Sequence, residues 1–169
     1  MIKKNLVLLG MMAVGKTTLG KIVAKKQKLE FIDIDQEVEK KNLMNISEIF
    51  REKGEKFFRI EEEKEVVKSL KKKNCVIALG GGAFLNKKIR ENILKNAISI
   101  WLDADLKILD KRLDRNKKRP LLDKENNFNK ILSLYEERKN IYELANYKIE
   151  CKNLNKDAIA QKIISLYEN

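Results

Sequence analysis

An α/β fold, in which one parallel sheet of about five strands carries helices on both faces, is expected from three features of this chain. Short apolar runs alternate with longer amphipathic, charge-rich segments. Each run is followed by helical material, and strands separated in that way pair in parallel through crossover connections. The length, 169 residues, suits a single domain with a sizeable core and leaves no room for a second large unit, so residues 1–169 are read as one domain.

In order, the run NLVLL from Asn5 is the first strand, and the amphipathic stretch from Lys16 to Lys28 is the helix after it. FIDI from Phe31 is the second strand, again with a helical stretch behind it, and CVIAL from Cys75 is the third, with a helix over Asn86 to Leu94. AISIWL from Ala97 and YKIEC from Tyr147 complete the set, with helices expected over Asp105 to Asp114 and Lys156 to Tyr167. Two regions break the rhythm: a helix-rich excursion from Ser47 to Lys73 and a basic stretch from Arg112 to Lys124. Excursions from an α/β sheet commonly build sites. In the first of them Ser47 is the expected cap of a short helix and Gly54 its end.

Composition removes several classes of function. No stretch approaches the ~18 consecutive apolar residues of a membrane span, and MIKKNLVLLG is too short for a signal peptide, so a soluble cytoplasmic protein is expected. With no histidine and only Cys75 and Cys151, a zinc site of the usual kind is not supported, and both thiols are read as inert. The formal charge of +12 comes from lysines spread over most segments rather than gathered in one stripe. A solvated lysine-rich surface, or affinity for a small anion, suits that pattern better than a nucleic-acid partner.

The segment G-M-M-A-V-G-K-T, Gly10 to Thr17, matches G-x-x-x-x-G-K-[ST] and sits between an apolar strand and an amphipathic helix. Glycines let the backbone fold around a phosphate, successive N–H groups converge on its oxygens, and the helix presents its positive end. Lys16 then reaches the β- and γ-phosphates and Thr17 a Mg²⁺ ion. The motif specifies nucleotide binding, which points to an ATP-dependent small-molecule kinase, and says nothing about the acceptor.

Candidates for the acceptor side follow. In Asp33-Ile34-Asp35, alternation along an extended strand puts both carboxylates on one side near its carboxyl end, where Asp35 could take a hydroxyl proton and Asp33 could hold waters of the metal. An ordinary strand-end turn followed by a helix cap explains the same residues. Gly80-Gly81-Gly82 permits close approach to a ligand, or is a flexible turn. Arg59 and Arg138 are carboxylate forks or surface ion pairs. The stretch R-L-D-R-N-K-K-R-P-L-L is a lid carrying Arg119 to the transferred phosphoryl, or a solvated loop.

Taken together, the chain resembles the shikimate kinase family, a nucleoside-monophosphate-kinase-like branch of the P-loop kinases, from the first strand to about Tyr147. The resemblance rests on G-M-M-A-V-G-K-T-T-L-G, on D-I-D at Asp33, and on I-S-E-I-F-x-x-x-G-E-x-x-F-R-x-x-E from Ile46. It rests also on G-G-G-A at Gly80, R-P-L-L at Arg119 and R-x-x-x-Y at Arg138. It implies a three-layer fold with strand order 2-3-1-4-5, a substrate-binding excursion over about 34–73, and a short lid over about 112–124. It further implies transfer of phosphate from ATP to the 3-hydroxyl of shikimate on the route to chorismate and aromatic amino acids.

Carried over by position, the resemblance places shikimate on Asp35, Arg59, Gly81, Gly82 and Arg138, with the two arginines on its carboxylate and Asp35 on its hydroxyls. Ala13, Val14, Gly15, Lys16, Thr17 and Thr18 hold the nucleotide, with Arg112 against adenine and Arg119 on the phosphates. Lys16, Asp35 and Arg119 are the implied catalytic residues; Thr17 ligates Mg²⁺ and Asp33 holds it through water. The implied partners are ATP and shikimate, with no nucleic acid or membrane, and a monomer is expected. One position departs from the pattern: Ala13 stands where this family often has glycine, and a positive φ there would strain it. Lys152 to Asn155, poorly matched to the family, receive no role.

Overall fold

The computed structural model describes residues 4–114 and 127–168. The strands are β1 (Asn5–Leu9), β2 (Glu30–Asp33), β3 (Cys75–Ala78), β4 (Ala97–Asp103) and β5 (Tyr147–Glu150). The helices are α1 (Lys16–Gln27), α2 (Ile34–Asn42), α3 (Ile46–Lys71), α4 (Lys87–Asn96), α5 (Leu106–Asp114), α6 (Asn127–Tyr142) and α7 (Lys156–Glu168), with a 3-10 turn at Ala83–Leu85.

All strand pairs are parallel and lie in the order β2-β3-β1-β4-β5, as the resemblance implied. β1 and β3 are buried at every residue. Because successive side chains alternate between faces, a strand buried throughout must be covered on both sides. On this account the strands read as unbroken apolar runs, and side chains such as Leu6, Leu8, Ile77 and Ile100 are wholly enclosed. Each contributes about 1.5–3 kcal/mol relative to an exposed position. α1 packs against α7 and over β1, β2 and β3, while α4 packs on β4 and against α3.

Three local expectations are corrected. Asp35 is not on a strand: β2 stops at Asp33, whose carboxylate accepts the Gln36 N–H at 3.3 Å and caps α2. Asp35 and Glu37 therefore stand in the first turn of a helix, where its positive end favours acids. The apolar Ile34 extends the strand pattern only in appearance; it is buried as the first helical residue. Ser47 does not cap α3. Asn45 does, through a reciprocal box in which its side chain accepts from the Glu48 N–H (2.9 Å) and the Glu48 carboxylate accepts from the Asn45 N–H (2.8 Å). Gly54, at φ 80° and ψ 165°, breaks α3 as expected, but the chain re-enters the helix at once. Finally, α6 is an element to which the strand-helix rhythm assigned nothing.

Candidate active site

The cradle is shaped by backbone that most residues cannot adopt. Gly10 has φ 138°, and a Cβ there would lie 2.5 Å from the Leu102 carbonyl oxygen; Gly15, at φ 105°, is the N-cap of α1. Ala13 has φ 62°, so the condition attached to it in the sequence is met: its Cβ sits in the left-handed region, at a cost of about 1–2 kcal/mol. Lys16 is folded back under the loop, its ammonium donating to the Gly10 and Met11 carbonyls at 2.9 and 2.8 Å. The Thr17 hydroxyl donates to Asp33 Oδ2 at 2.6 Å, which joins the start of α1 to the end of β2. Arg112, in the last turn of α5, donates to the carbonyls of Ala13 (3.1 Å) and Val14 (3.4 Å).

Two cavities flank the cradle. One, of about 360 Å³, is bordered by Ala13, Gly15, Lys16, Thr17, Thr18 and Arg112. The other, of about 210 Å³, runs past Val14 and Arg112 to an apolar floor made by Leu19, Ile108, Leu154 and Ile159. Leu154 thus gives part of the segment 152–155, the adenine-side loop of the family pattern, a place beside Arg112. Cys151 borders the same floor, and burial pushes its thiol up to about 11; burial likewise raises Cys75. Both are protonated at neutral pH, in keeping with inert thiols.

A third cavity, of about 270 Å³, adjoins the first: Thr17, Asp33, Asp35, Gly80 and Gly81 border both. Into it come Arg59 from α3, Arg138 from α6 and Asp35 from α2. The glycine run after β3 is explained by these side chains. A Cβ on Gly80 would meet Glu62 Oε1 at 2.6 Å and Asp35 Oδ1 at 2.7 Å; on Gly81 it would meet Arg138 Nη1 at 3.1 Å, and on Gly82 both Arg59 Nη atoms at 2.8 Å. Only a bare backbone lets four charged groups close around it, so the flexible-turn reading is replaced by one of close approach. The Tyr142 hydroxyl donates to the Gly81 carbonyl, tying α6 to this turn one helical turn beyond Arg138.

Arg138 is not a surface ion pair, and Arg59 is one only in part, since it joins exposed Glu55 to buried Glu62. Arg138 is 4 % exposed, and its Nε has no hydrogen-bond partner among the described residues. Arg59 donates to Glu62 Oε2 at 2.9 Å and, through Nη2 and Nε, to Glu55 Oε1 at 3.0 and 3.2 Å, while its guanidinium lies 5.3 Å from the Phe58 ring centroid. Burial disfavours its charge, but Glu62 and Glu55 more than offset that and raise its pKa.

Glu62 also reaches this cavity, from the helical turn after Arg59. It is 1 % exposed, and burial above all pushes its carboxyl up to about 7; Arg59 and Arg138 oppose the shift and Asp35 adds to it. Its neighbour Glu61 goes the other way, held below the ordinary carboxylate range by hydrogen bonds to Lys41 and Lys64. Lys41 also reaches Glu65 at 3.4 Å, so this pairing joins α2 to α3 beneath the site. Glu62 closes the motif that begins at Ile46, and Tyr142 closes the one at Arg138. Those were the only signals that either belonged to the site.

The donor set suits a nucleotide-borne Mg²⁺ rather than a protein-held ion. Thr17 and Asp33 offer hard oxygens side by side, and the described residues contain no group of three or more acidic, cysteine or histidine side chains placed to hold a metal. Arg119 and most of the expected lid lie outside the described residues. No helix among the described residues is long and apolar enough to cross a membrane.

Residues 12–168 match the family model for shikimate kinase. The chain is 43 % identical over 167 residues to a shikimate kinase of Bartonella quintana, covering 99 % of this chain and 80 % of that protein. It is 41 % identical to one of Thermoanaerobacter pseudethanolicus, covering 97 % and 96 %. The solved structure of the Acinetobacter baumannii shikimate kinase in complex with shikimate superposes with a TM-score of 0.93 at 36 % identity, covering 97 % of this chain and 92 % of that one.

Proposed function

The chain belongs to the shikimate kinase family, and from that premise we propose that it transfers the γ-phosphoryl group of ATP to the 3-hydroxyl of shikimate. What carries the reading is the convergence of Arg59, Arg138 and Asp35 on a cavity that adjoins the phosphate cradle. Two guanidiniums suit one carboxylate, and a carboxylate at the seam suits a hydroxyl that must lose its proton beside the nucleotide.

In the proposed step the 3-hydroxyl oxygen forms a bond to the γ-phosphorus as the bond to the β–γ bridging oxygen breaks. The hydroxyl proton passes to Asp35, and ADP and shikimate 3-phosphate are the products. Lys16 leaves the Gly10 and Met11 carbonyls for the β- and γ-phosphates and offsets the charge moving between them. Residues 13–18 hold the phosphates through their N–H groups, and Arg112 with the floor around Leu154 takes the adenine. Bound Mg²⁺ would neutralise phosphate charge, with Thr17 as ligand and Asp33 holding its water. Arg59 and Arg138 fix the acceptor carboxylate, Gly81 and Gly82 leave it room, and Arg119 comes to the phosphoryl group from a lid over about 112–124. We read residues 1–169 as one domain, its excursion over about 34–73, acting as a cytoplasmic monomer on small molecules.

The test is ADP release from ATP and Mg²⁺ with shikimate added or withheld, and with AMP and gluconate in parallel. Turnover that depends on shikimate is expected. Turnover with only a nucleoside monophosphate or gluconate would keep the cradle and remove the roles of Asp35, Arg59 and Arg138.

A further inference from the structure

Arg59 is already committed when the acceptor arrives. Its Nη1 is on Glu62 and its Nη2 and Nε are on Glu55, so an incoming carboxylate is a third anion at one guanidinium, shared among the described residues with Arg138. Glu55 has a side chain 56 % exposed and can turn to water, whereas that of Glu62 is 2 % exposed and has nowhere to go. The second oxygen of Glu62, Oε1, is buried without a hydrogen-bond partner among the described residues. It lies within 2.7 Å of the same point, the Cβ position of Gly80, as Asp35 Oδ1.

With the acceptor bound, two cations, Arg59 and Arg138, would face Asp35, Glu62 and the ligand, with Asp33 and Glu39 also bordering the cavity, so anions outnumber cations. We propose that the acceptor's carboxylate binds together with one proton, which is taken up by Glu62 as it yields Arg59 to the ligand. This rests on the reading that Arg59 and Arg138 receive that carboxylate. Neutral Glu62 removes one anion from this group, and its proton gives the otherwise partnerless Oε1 a hydrogen to donate beside the Gly80 turn. The same burial that pushes Glu62 up to about 7 leaves it able to take up a proton near physiological pH.

The surroundings decide the direction. On α3 the charge facing Glu62 is Arg59; the end of β2 brings Asp33 and α2 brings Asp35 and Glu39 to the cavity, and α6 brings Arg138. The glycine turn brings none, and α4 meets α3 through Lys88, which is paired with Glu63. An added anion among these raises the carboxyl further, so the ligand and the proton favour one another.

Calorimetric titration of the full chain with shikimate, in phosphate and in Tris at matched pH, measures the protons taken up. Almost none is expected at pH about 5.5, where Glu62 already holds its proton, and close to one per shikimate at pH about 8. The Kd should rise toward roughly tenfold per pH unit above about 7. Glu62→Gln should show no uptake at either pH and a Kd that is flat with pH, while Glu55→Gln should keep the uptake. Binding heats at pH about 8 that are the same in both buffers for the wild type would overturn the proposal, as would uptake lost in Glu55→Gln or retained in Glu62→Gln. If Glu62→Gln fails to fold, the wild-type and Glu55→Gln titrations still decide. Binding without uptake defeats this proposal alone; no binding of shikimate at any pH defeats it together with the assigned acceptor.

Discussion

Along the cradle, one unbroken stretch from Gly10 to Thr18 supplies loop, lysine and hydroxyl, and its shape comes from backbone dihedrals at Gly10, Ala13 and Gly15. The acceptor cavity has no such stretch. Asp35, Arg59, Glu62, Gly80–Gly82 and Arg138 come from α2, α3, the turn after β3 and α6, and meet around one cavity where Arg59 is bonded to Glu62 and the charged side chains crowd the bare glycine backbone. A loop of the first kind answers to the conformational preferences of single residues. A cavity of the second kind answers to charge balance among buried groups, where removing one partner strands the rest. The two sides should therefore fail differently.

The largest losses are expected where the two meet. Lys16→Ala and Asp35→Ala should each lower kcat by roughly 10²- to 10⁴-fold, because their interactions strengthen as charge moves and a proton leaves. Steady-state ADP release measures this, and a near-normal kcat in the Asp35 variant would remove it from catalysis.

Next come the arginines. Arg59→Ala and Arg138→Ala should each weaken shikimate binding by about 2–5 kcal/mol, the cost of leaving a buried charged group without its partner. Arg138, 4 % exposed, belongs at the upper end; Arg59, with a side chain 31 % exposed, belongs at the lower. A shikimate KM equal to that of the wild type in both variants would break the assignment, and the reverse ranking would mean that burial does not set the cost.

The smallest effect sharpens the contrast. Ala13→Gly removes a left-handed Cβ, worth about 1–2 kcal/mol, but adds freedom to the unfolded chain worth about 0.4–1 kcal/mol. Stability from thermal unfolding should therefore rise by about 0–1.6 kcal/mol, and only the KM for ATP should respond in kinetics. A large change in the KM for shikimate would show that the two sides are not separable as described.

The same division governed what could be read in advance. The cradle was legible because its chemistry needs particular residues at fixed spacing within one turn between strand and helix. On the acceptor side Arg59 and Arg138 could be named but not distinguished from surface ion pairs, because nothing near them in sequence reports their burial. Asp35 was given the right side of the sheet and the wrong element: alternation along a strand was inferred where the Asp33 cap had already begun α2. α6 went unassigned although it carries Arg138 and Tyr142, since its pattern is split between contacts to α5 and to the turn after the glycine run. Glu62 was in view as the last residue of a motif, yet nothing in its type separated it from Glu61 beside it.

By itself the sequence determined the alternation of strand and helix, the parallel sheet and the phosphate loop, since these follow from periodicity and local backbone preference. Tertiary structure alone decided which acids are held ionised by lysines and which sit near neutrality. Glu61 and Glu62 share a residue type and a helix, but Glu61 is bonded to Lys41 and Lys64, whereas Glu62 is enclosed more deeply, with Arg59 on one oxygen and Asp35 across a glycine from the other. The charge state of a carboxyl is set by solvent and by the charges that packing brings to it, and neither is written along the chain.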